Sequence, residues 1–363
     1  MQYSEFKSFV ELGLESEMPA FVEINEAQEF ESLQRFLKEQ SIKYLDQSYH
    51  QIQEYKEIES CLQLNPNTIK SCKYIYLSWG EKVLIKSLSE DLFYSLITWR
   101  NNDKINFDEQ EIVKHKTIGV VGCSVGSFAI KVLAKLGFVN LRVAEIKNMK
   151  PSNSPRMFCD SIRNYGEHKA SPLAQSIYEL NPYTNLTVFD EGVTDNNINE
   201  FIIGDKKLDI LIDAADDGIT KLKLRHYCQL YQIPLISGYD EKGILIIERF
   251  DLYKSNIDFL AQIEELKITK DKSQADYVNK LLEFIPGGKE NLSPRQLTTL
   301  EGIANKTRGG FSQLAWEASL FASYIAKATL EIALGNEIEG SNSLDLDVEI
   351  AQKMSSKSKQ EAS

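Results

Sequence analysis

The stretch KTIGVVGCSVGS, residues 116–127, constrains the fold most strongly. Its first part, Thr117 to Val121, is a short β-rich apolar run that ends at Gly122. From Ser127 the apolar residues follow helical spacing as far as Gly137. A buried strand, a glycine turn and a helix are typical of the first unit of a nucleotide-binding α/β sheet, because phosphates bind at the helix N-terminus.

Spacing alone leaves other functions open for this turn. The glycines are arranged as Gly122-x-x-x-Gly126, which differs from the dinucleotide pattern G-x-G-x-x-G. The same residues also fit G-x-S-x-G, the nucleophile elbow of α/β-hydrolases, with Ser124 as nucleophile. A hydrolase of that kind needs a late histidine, whereas the last of the four histidines, His226, follows the predicted fourth strand directly. The order of residues therefore disfavours a hydrolase.

Downstream, short apolar runs alternate regularly with helical patterns. Strands are predicted at 141–144, 186–189, within LDILIDAADD at 208–217, and at 233–237, with helices at 169–180 and 221–231. GILIIERFDL, residues 243–252, adds an antiparallel strand. Such alternation indicates a parallel sheet whose ligand site lies at the carboxyl ends of its strands. The predicted fold class is α/β, with a Rossmann-like, mostly parallel sheet flanked by helices.

The regions around this alternation predict three further parts. Residues 1–98 are expected to form a small α+β N-terminal module, with a helix at 26–40, a β-hairpin at 73–87 and a helix starting near Ser89. Residues 99–340 form the main domain. It is expected to include a charged, irregular lid or substrate loop with helical pieces at about 254–306 and a long apolar helix at 311–335. The tail, 341–363, is predicted to be partly disordered.

Composition excludes several classes of protein. A formal net charge of -12 argues against nucleic acid as a partner, because phosphate backbones attract basic surfaces. The five cysteines form no C-x-x-C pair, so neither a zinc site nor a disulfide framework is expected. The pattern predicts reduced thiols in a cytoplasmic protein. Neither a signal-peptide pattern nor an apolar run of membrane-spanning length is present, so no membrane association is expected.

Four charged residues follow the predicted strands and point to a nucleotide site. Glu145 lies nineteen residues after Gly126, where the acid after strand two usually meets a ribose hydroxyl. Arg156 and Lys169 supply positive charge, and Asp216 arrives at the end of the fourth strand. Cations offset phosphate charge, and an aspartate is a hard oxygen ligand for a metal ion. The set therefore predicts a site for ATP and Mg²⁺.

An ordered series of motifs carries a family resemblance over residues 100–250. The series GVVGCSVG, NLRVAEIKNMKPSNSPRM, GEHKASPLAQSIYELNP, ILIDAADD and IPLIS resembles the adenylating core of the ubiquitin-activating superfamily, typified by ThiF, MoeB and HesA. The resemblance implies a homodimer that activates a carboxylate: ATP and the acid give an acyl-adenylate and pyrophosphate.

The resemblance also implies a role for individual residues. Asn153 and Arg156, in the S-N-x-x-R motif, would contact phosphates together with Lys169 of G-x-x-K, and Asp216 would bind magnesium. Arg100, in WRNN, would be the arginine that the partner subunit inserts into the site. The nucleotide loop would contain Gly122, Ser124 and Gly126.

Three departures from the family pattern narrow this prediction. Ser124 stands where a glycine is usual, the strand-two D-x-D appears as Glu145-Ile146-Lys147, and the structural zinc cysteines are absent. Loss of zinc and an added N-terminal module resemble the branch typified by MccB and PaaA, which modifies ribosomal precursor peptides. In that branch the module is a winged-helix peptide clamp. The implied function is adenylation of a peptide carboxylate in peptide-antibiotic, pantocin-like biosynthesis, followed by intramolecular bond formation.

Two alternatives remain from the sequence. One is activation of the C-terminus of a ubiquitin-like or sulfur-carrier protein. The other is a nonenzymatic peptide-binding protein with a decayed nucleotide site, suggested by Lys147 and the altered glycine turn. A thioester-forming cysteine is less favoured than structural thiols at Cys123, Cys159 and Cys228, because no basic partner is evident beside them.

Overall fold

A computed structural model of the chain describes residues 18–22, 24, 26–59, 72–159, 161–239, 241–284, 292–305, 307–308, 310, 312–344 and 350. Within this part of the chain, two units form. The first draws on residues 1–114, 134–139 and 171–186, and the second on residues 115–133, 140–170 and 187–363.

The first unit contains a four-stranded sheet. Its strands are β1 (Ala20–Val22), β2 (Lys43–Asp46), β3 (Cys72–Leu77) and β4 (Val83–Leu88), in the spatial order β1-β3-β4-β2. β3 and β4 form the predicted antiparallel hairpin, β1 pairs antiparallel with β3, and β2 pairs parallel with β4. Sequence analysis indicated the hairpin alone, because strands of three or four residues are too short to show alternation.

Helices cover this sheet through two apolar clusters. The helices of the first unit's N-terminal part are α1 (Glu26–Glu39), α2 (Ser48–Ile58), α3 (Glu90–Thr98) and α4 (Phe107–His115). Phe36 of α1 packs in one cluster with Tyr76, and Tyr55 of α2 packs in the other with Leu92 of α3. The α+β character is as predicted, whereas the winged-helix-like assignment stays a prediction.

Later segments of the chain complete the first unit. The Tyr94 hydroxyl donates to the Gly137 carbonyl at 2.9 Å, and the Tyr183 hydroxyl donates to the Leu88 carbonyl at 2.6 Å. The first unit is therefore not one continuous stretch of sequence. The boundary predicted between residues 98 and 99 stays a prediction.

The second unit is built on a seven-stranded sheet in the order β11-β10-β9-β8-β5-β6-β7. Its strands are β5 (Thr117–Val121), β6 (Asn140–Ala144), β7 (Asn185–Phe189), β8 (Ile210–Asp213), β9 (Leu235–Tyr239), β10 (Ile244–Glu248) and β11 (Gly340–Asn342). The pairs β5–β6, β5–β8 and β8–β9 are parallel, and β10 is antiparallel to both its neighbours. The Rossmann-like fold class is therefore confirmed. β11 ends the sheet at the start of the predicted tail, most of which lies outside the described residues.

The helices that accompany this sheet follow the predicted alternation. They are α5 (Val125–Leu136), α7 (Ile198–Ile202), α8 (Gly218–Tyr231) and, further along, α12 (Ala315–Ala333). Helix α6 (Ala170–Leu180) comes between β6 and β7 in the sequence, but all of it except Ala170 belongs to the first unit. All five residues of β5 are buried, as expected for a central parallel strand that is covered on both faces. The chain leaves β5 toward β6 on one side and later returns to β8 on the other. This reversal of strand order creates the crevice in which α/β sheets bind ligands.

The segment predicted as an irregular substrate loop is largely helical. It contains α9 (Phe259–Lys272), α10 (Gln274–Phe284) and α11 (Pro294–Ala304). Phe259, Ile263 and Tyr277 are buried in the same core cluster as residues of β8 and α8. The expected helical pieces are present and cover most of the segment, with many of its charges on the exposed sides of the helices. Its role as a lid or substrate loop stays a prediction. The breakers Pro286 to Gly288 lie outside the described residues.

Among the residues that the structure describes, no helix combines the length and apolar character needed to cross a membrane.

Candidate nucleotide site

Three neighbouring strands end at one level and place the candidate site. Val121 at the end of β5 pairs with Ala144 at the end of β6 and with Asp213 at the end of β8. The loops that follow these strands therefore start side by side at the carboxyl edge of the sheet. Each loop carries at least one of the residues predicted to bind the nucleotide.

The turn after β5 accepts only glycine at its first position. Gly122 has a φ of +101°, and its N–H donates to the Ala144 carbonyl at 2.8 Å. A Cβ at this position would lie 2.4 Å from the carbonyl oxygen of Ala214. At Gly126 a Cβ would lie 3.2 Å from the Ala214 Cβ, which is a tight contact with a side-chain atom. Helix α5 begins at Val125, directly after Ser124 and earlier than the sequence indicated.

Glu145 fixes the backbone around the turn. One carboxylate oxygen accepts from the Cys123 N–H at 2.9 Å. The other accepts from the N–H groups of Ile146 and Lys147, each at 2.9 Å. A carboxylate offers about four acceptor positions, so these bonds use most of its capacity. The Glu145 side chain is only 7% exposed. Its predicted contact with a ribose hydroxyl stays a prediction, and the backbone role was missed by sequence analysis.

Lys169 is the buried cation of the site. Its side chain is 5% exposed, and its ammonium group donates to the Ser124 hydroxyl at 2.9 Å and lies 3.9 Å from the Glu145 carboxylate. Burial lowers the pKa of Lys169, Glu145 opposes that shift, and the neighbouring charges of Lys147 and Arg156 add to it. Lys169 is thus a buried cation with two further positive charges near it, an arrangement suited to an added anion.

The short 3-10 helix Pro151–Arg156 carries the other predicted phosphate contacts. The half-buried Arg156 donates to the Ser152 carbonyl at 3.1 Å. Its positive charge contributes to lowering the pKa of Lys169. Asn153 is buried, and its side-chain oxygen accepts from the Lys150 N–H at 2.8 Å. The structure thus brings Arg156 into electrostatic range of Lys169, while the Asn153 oxygen shapes the segment itself. Phosphate contact by either residue stays a prediction.

Asp216, the predicted magnesium ligand, already has a cation. The ammonium group of Lys147 donates to one of its carboxylate oxygens. Partial desolvation raises the pKa of Asp216, but the hydrogen bond and charge of Lys147, together with a backbone hydrogen bond and the charge of Lys169, outweigh that effect, so the pKa lies below its ordinary value. Among the described residues no group of three or more His, Cys, Asp or Glu could hold a metal ion. Asp216 therefore offers one carboxylate to a metal ion, and that carboxylate carries the Lys147 ammonium group, so Mg²⁺ binding at Asp216 stays a prediction.

The pairing of Lys147 with Asp216 was missed because the two residues lie 69 positions apart, after different strands. The sequence did flag Lys147 as a departure from the family pattern. That was the available signal, since a lysine in place of an acid changes what its neighbours can bind.

The two acids that flank Asp216 have structural roles. The Asp213 side chain is fully buried and is bound by Lys221 at 3.2 Å and by Arg225 at 3.3 Å. Asp217 caps α8, because its carboxylate accepts from the Thr220 N–H at 2.9 Å. Sequence patterns contain no signal for the buried charges around Asp213, since these come together only when α8 packs on the sheet.

Arg100 lies in the first unit. It belongs to a short 3-10 turn, Trp99–Asn101, and its guanidinium group stands 5.3 Å from the centre of the Trp99 ring. Its insertion into the site of a partner subunit, and the homodimer which that would require, stay predictions.

The described residues around the turn give no support to a nucleophile. The partner of Ser124 is Lys169 rather than a histidine. Cys123 and Cys228 are fully buried, and burial raises the pKa of both thiols well above the ordinary value. Protonated, inaccessible thiols are poor thioester formers. None of the four described cysteines forms a disulfide.

Comparison with known proteins identifies the part of the chain that holds this site. Residues 99–241 match the sequence model of the ThiF family. These residues are a ThiF family domain. They contain the Gly122 turn, Glu145, Lys169 and Asp216, so the family resemblance drawn from the motifs is confirmed for this domain.

Two curated proteins illustrate how far the similarity of the ThiF domain extends. The uncharacterized protein MT1398 of Mycobacterium tuberculosis is 26% identical over 316 residues, which are 85% of this chain and 42% of that protein. The tRNA threonylcarbamoyladenosine dehydratase of Bacillus subtilis is 27% identical over 176 residues, or 47% of this chain and 68% of the enzyme. The chain thus spans less than half the length of the first relative.

Two solved structures are similar to the chain at low sequence identity. A crystal structure of PaaA is 19% identical, covers 70% of this chain and 77% of its own, and gives a TM-score of 0.47. The Escherichia coli tRNA N6-threonylcarbamoyladenosine dehydratase in complex with ATP is 20% identical, covers 68% of this chain and 96% of its own, and gives a TM-score of 0.49.

Proposed function

We propose that the ThiF domain activates a carboxylic acid by ATP-dependent adenylation. The carboxylate oxygen attacks the α-phosphorus of ATP, the bond between that phosphorus and the bridging oxygen breaks, and pyrophosphate leaves. The observation that carries this proposal is the buried Lys169 ammonium group, bonded to Ser124 of the glycine turn at the carboxyl edge of the sheet. It lies within a domain that matches the family.

In this mechanism the chain contributes position and charge. Lys169 and Arg156 would stabilise the negative charge that develops on the α-phosphate and on the departing pyrophosphate. Glu145 would hold the turn in place through its bonds to backbone N–H groups, so that the reacting atoms meet in a fixed geometry. The Gly122 N–H is already bonded to Ala144, so phosphate oxygens would meet the amides that open α5.

Pyrophosphate exchange tests the proposed reaction directly. It measures the return of labelled pyrophosphate into ATP, which requires reversible formation of an acyl-adenylate. Replacing Lys169 by alanine should lower the exchange rate at least about 100-fold, because a preorganised charge on the transition state is lost. Lys135→Ala, which removes an exposed lysine from the last turn of α5, should leave the rate unchanged.

The result that contradicts the proposal is equally clear. If the wild-type chain neither binds ATP nor exchanges pyrophosphate with any carboxylate offered, the proposed adenylation is rejected. Peptide binding by the same chain would then establish the nonenzymatic alternative. Thermal unfolding of Lys169→Ala and Lys135→Ala shows whether each variant is folded, so a lower exchange rate caused by the missing charge can be distinguished from one caused by unfolding.

For the substrate, we propose the carboxylate of a ribosomal precursor peptide. The proposal rests on the missing zinc cysteines and on the added α+β unit, the features that resemble the peptide-modifying branch. Exchange should then depend on a peptide. Exchange that depends instead on a small β-grasp protein ending in Gly-Gly would favour the ubiquitin-like alternative.

Action on tRNA is a second candidate, because the Bacillus subtilis relative, a tRNA-modifying dehydratase by name, is matched over 68% of its length. The net charge of -12 weighs against it, since RNA binding draws on basic surfaces. Exchange stimulated by tRNA but by no peptide would establish the second candidate and exclude the first.

A further inference from the structure

Lys147 is held by its backbone between the two residues that define the site. Its N–H donates to the Glu145 carboxylate at 2.9 Å, and its carbonyl accepts from the Lys169 N–H at 3.2 Å. From this fixed backbone the side chain reaches Asp216, to which the ammonium group donates a hydrogen bond. The position of this ammonium group therefore follows from the same contacts that form the rest of the site.

The pair formed by Lys147 and Asp216 is open to ligands. The Lys147 side chain is 52% exposed and that of Asp216 is 72% exposed, whereas the Lys169 side chain is 5% exposed. Exposed ion pairs are weak because water competes with them. The site thus has one buried cation, Lys169, and one accessible cation, Lys147. The accessible cation is hydrogen-bonded to Asp216, the carboxylate that binds a metal ion in the family pattern.

The electrostatic surroundings show that these cations share one site. Lys147 and Arg156 each lower the pKa of Lys169, so the positive charges lie within range of one another. The charges of Glu145 and Asp216 act on the Lys169 pKa in the opposite direction. Cations that repel one another are stabilised by a polyanion such as a triphosphate.

An ammonium group can do part of the work of a bound Mg²⁺. In nucleotide sites Mg²⁺ links one or two carboxylates to phosphate oxygens. The lysine ammonium group has three donors, so it can bond a carboxylate and an anionic oxygen together. It differs from the metal in being permanently attached to the chain.

We propose that the Lys147 ammonium group takes the place of a divalent cation at Asp216, so that this chain binds ATP with little dependence on Mg²⁺. The inference rests on the proposed function, since it concerns the same ATP site. It also assigns an active role to the residue that, in the sequence, suggested a decayed site.

The test is ATP binding by the full-length chain, measured by calorimetry with EDTA and then with excess MgCl₂. The wild-type chain should bind ATP with nearly equal affinity in both. Lys147→Met keeps the apolar stem of the side chain and removes its charge. In this variant the dissociation constant of ATP in EDTA, divided by that in MgCl₂, should be at least about tenfold higher than in the wild type. Lys135→Met removes an equal charge elsewhere and should behave as the wild type.

A second variant provides a readout of metal binding itself. Lys147→Asp places an acid beside Asp216, so it should bind ATP only with a divalent cation. Titration with Mn²⁺ in the presence of a nonhydrolysable ATP analogue, followed by electron paramagnetic resonance, should show tight Mn²⁺ binding in Lys147→Asp and weak binding in the wild type.

Each outcome decides the inference. A wild-type chain that needs Mg²⁺ as strongly as Lys147→Met overturns it and leaves the proposed adenylation standing. Failure of the wild-type chain to bind ATP under either condition overturns both. If Lys147→Met does not fold, the wild-type ratio and the Mn²⁺ titration still decide, since a strong metal requirement in the wild type is sufficient to reject the role of Lys147.

Discussion

At the scale of single residues, the absence of a Cβ atom at Gly122 determines the shape of the turn after β5. Gly122 has a positive φ, and the Ala214 carbonyl fills the space where a side chain would begin. Two separate demands therefore apply to one position: a backbone conformation that favours glycine, and a close approach that excludes any Cβ. The turn places Ser124 against Lys169, so the geometry of the site depends on this glycine.

Alanine at Gly122 should destabilise the protein more than alanine at a comparable glycine. Gly166 has a similar φ of +97°, but no neighbouring atom lies within 4 Å of the position that a Cβ would take there. Gly166→Ala should therefore cost about 1–2 kcal/mol from backbone strain alone. Gly122→Ala should cost at least about 2 kcal/mol more, because the Ala214 backbone must move. Urea unfolding measures both, and equal losses would contradict the steric argument.

At the scale of elements, helix α8 joins strands of the sheet through buried charges. Arg225 of α8 is 1% exposed and donates to Asp213 of β8, to Ser237 of β9 at 2.9 Å and to Glu248 of β10. Burial raises the pKa of Glu248, although Arg225 opposes the shift. The helix thus neutralises carboxylates that the sheet would otherwise bury alone.

Removal of the central cation should show both the size and the pH dependence of this effect. Arg225→Met should lower the free energy of unfolding by about 3–5 kcal/mol at pH 8, because carboxylates remain buried without it. Its loss raises the folded-state pKa of Glu248 further above its unfolded value. The penalty for burying the Glu248 carboxylate therefore grows as pH rises through that interval, and the loss of stability should be smaller at pH 5 than at pH 8.

A lysine of the same helix is the matched control. Lys223 forms a pair with Asp195, whose side chain is 80% exposed, so Lys223→Met should cost at most about 1 kcal/mol at either pH. Urea unfolding of both variants at the two pH values makes the comparison. An Arg225→Met loss that does not change with pH would show that the buried acids are not the cause.

Elements also show how far sequence reasoning reached. β5, the Gly122 turn and α5 were predictable, because apolar spacing and glycine are local signals. Lys169 and Asp216 were predictable from their place after the strands. The pair of Lys147 with Asp216 was not, because it depends on two loops meeting in space. α9 to α11 were predicted only as helical pieces, since their many charges obscured the apolar spacing on the buried side of each helix.

At the scale of the whole molecule, sequence order and structural units do not coincide. The first unit takes residues 134–139 and 171–186 from within the alternating region. These segments supply partners for Tyr94 and for the end of β4. A cut in the sequence after the N-terminal module therefore separates groups that belong to one unit.

A fragment consisting of residues 1–114 should consequently fold poorly. It lacks Gly137 and Tyr183, so the Tyr94 hydroxyl keeps only its bonds with Gln110 and the Leu88 carbonyl loses the Tyr183 donor. Each lost hydrogen bond costs roughly 0.5–1.5 kcal/mol, a large part of the stability of a small domain, and the packing of residues 134–139 and 171–186 is lost as well. Circular dichroism during thermal unfolding should show no cooperative transition. A sharp transition comparable to that of the full chain would show that the later segments are dispensable.

The three hydrogen bonds that the Glu145 carboxylate accepts from backbone N–H groups have a consequence for the thermodynamics of ligand binding. They order the backbone of Cys123, Ile146 and Lys147 as the protein folds, before any nucleotide arrives. The loss of conformational entropy that accompanies this ordering thus belongs to folding and not to association. The proposed nucleotide would therefore bind to a backbone that is already ordered at these three residues.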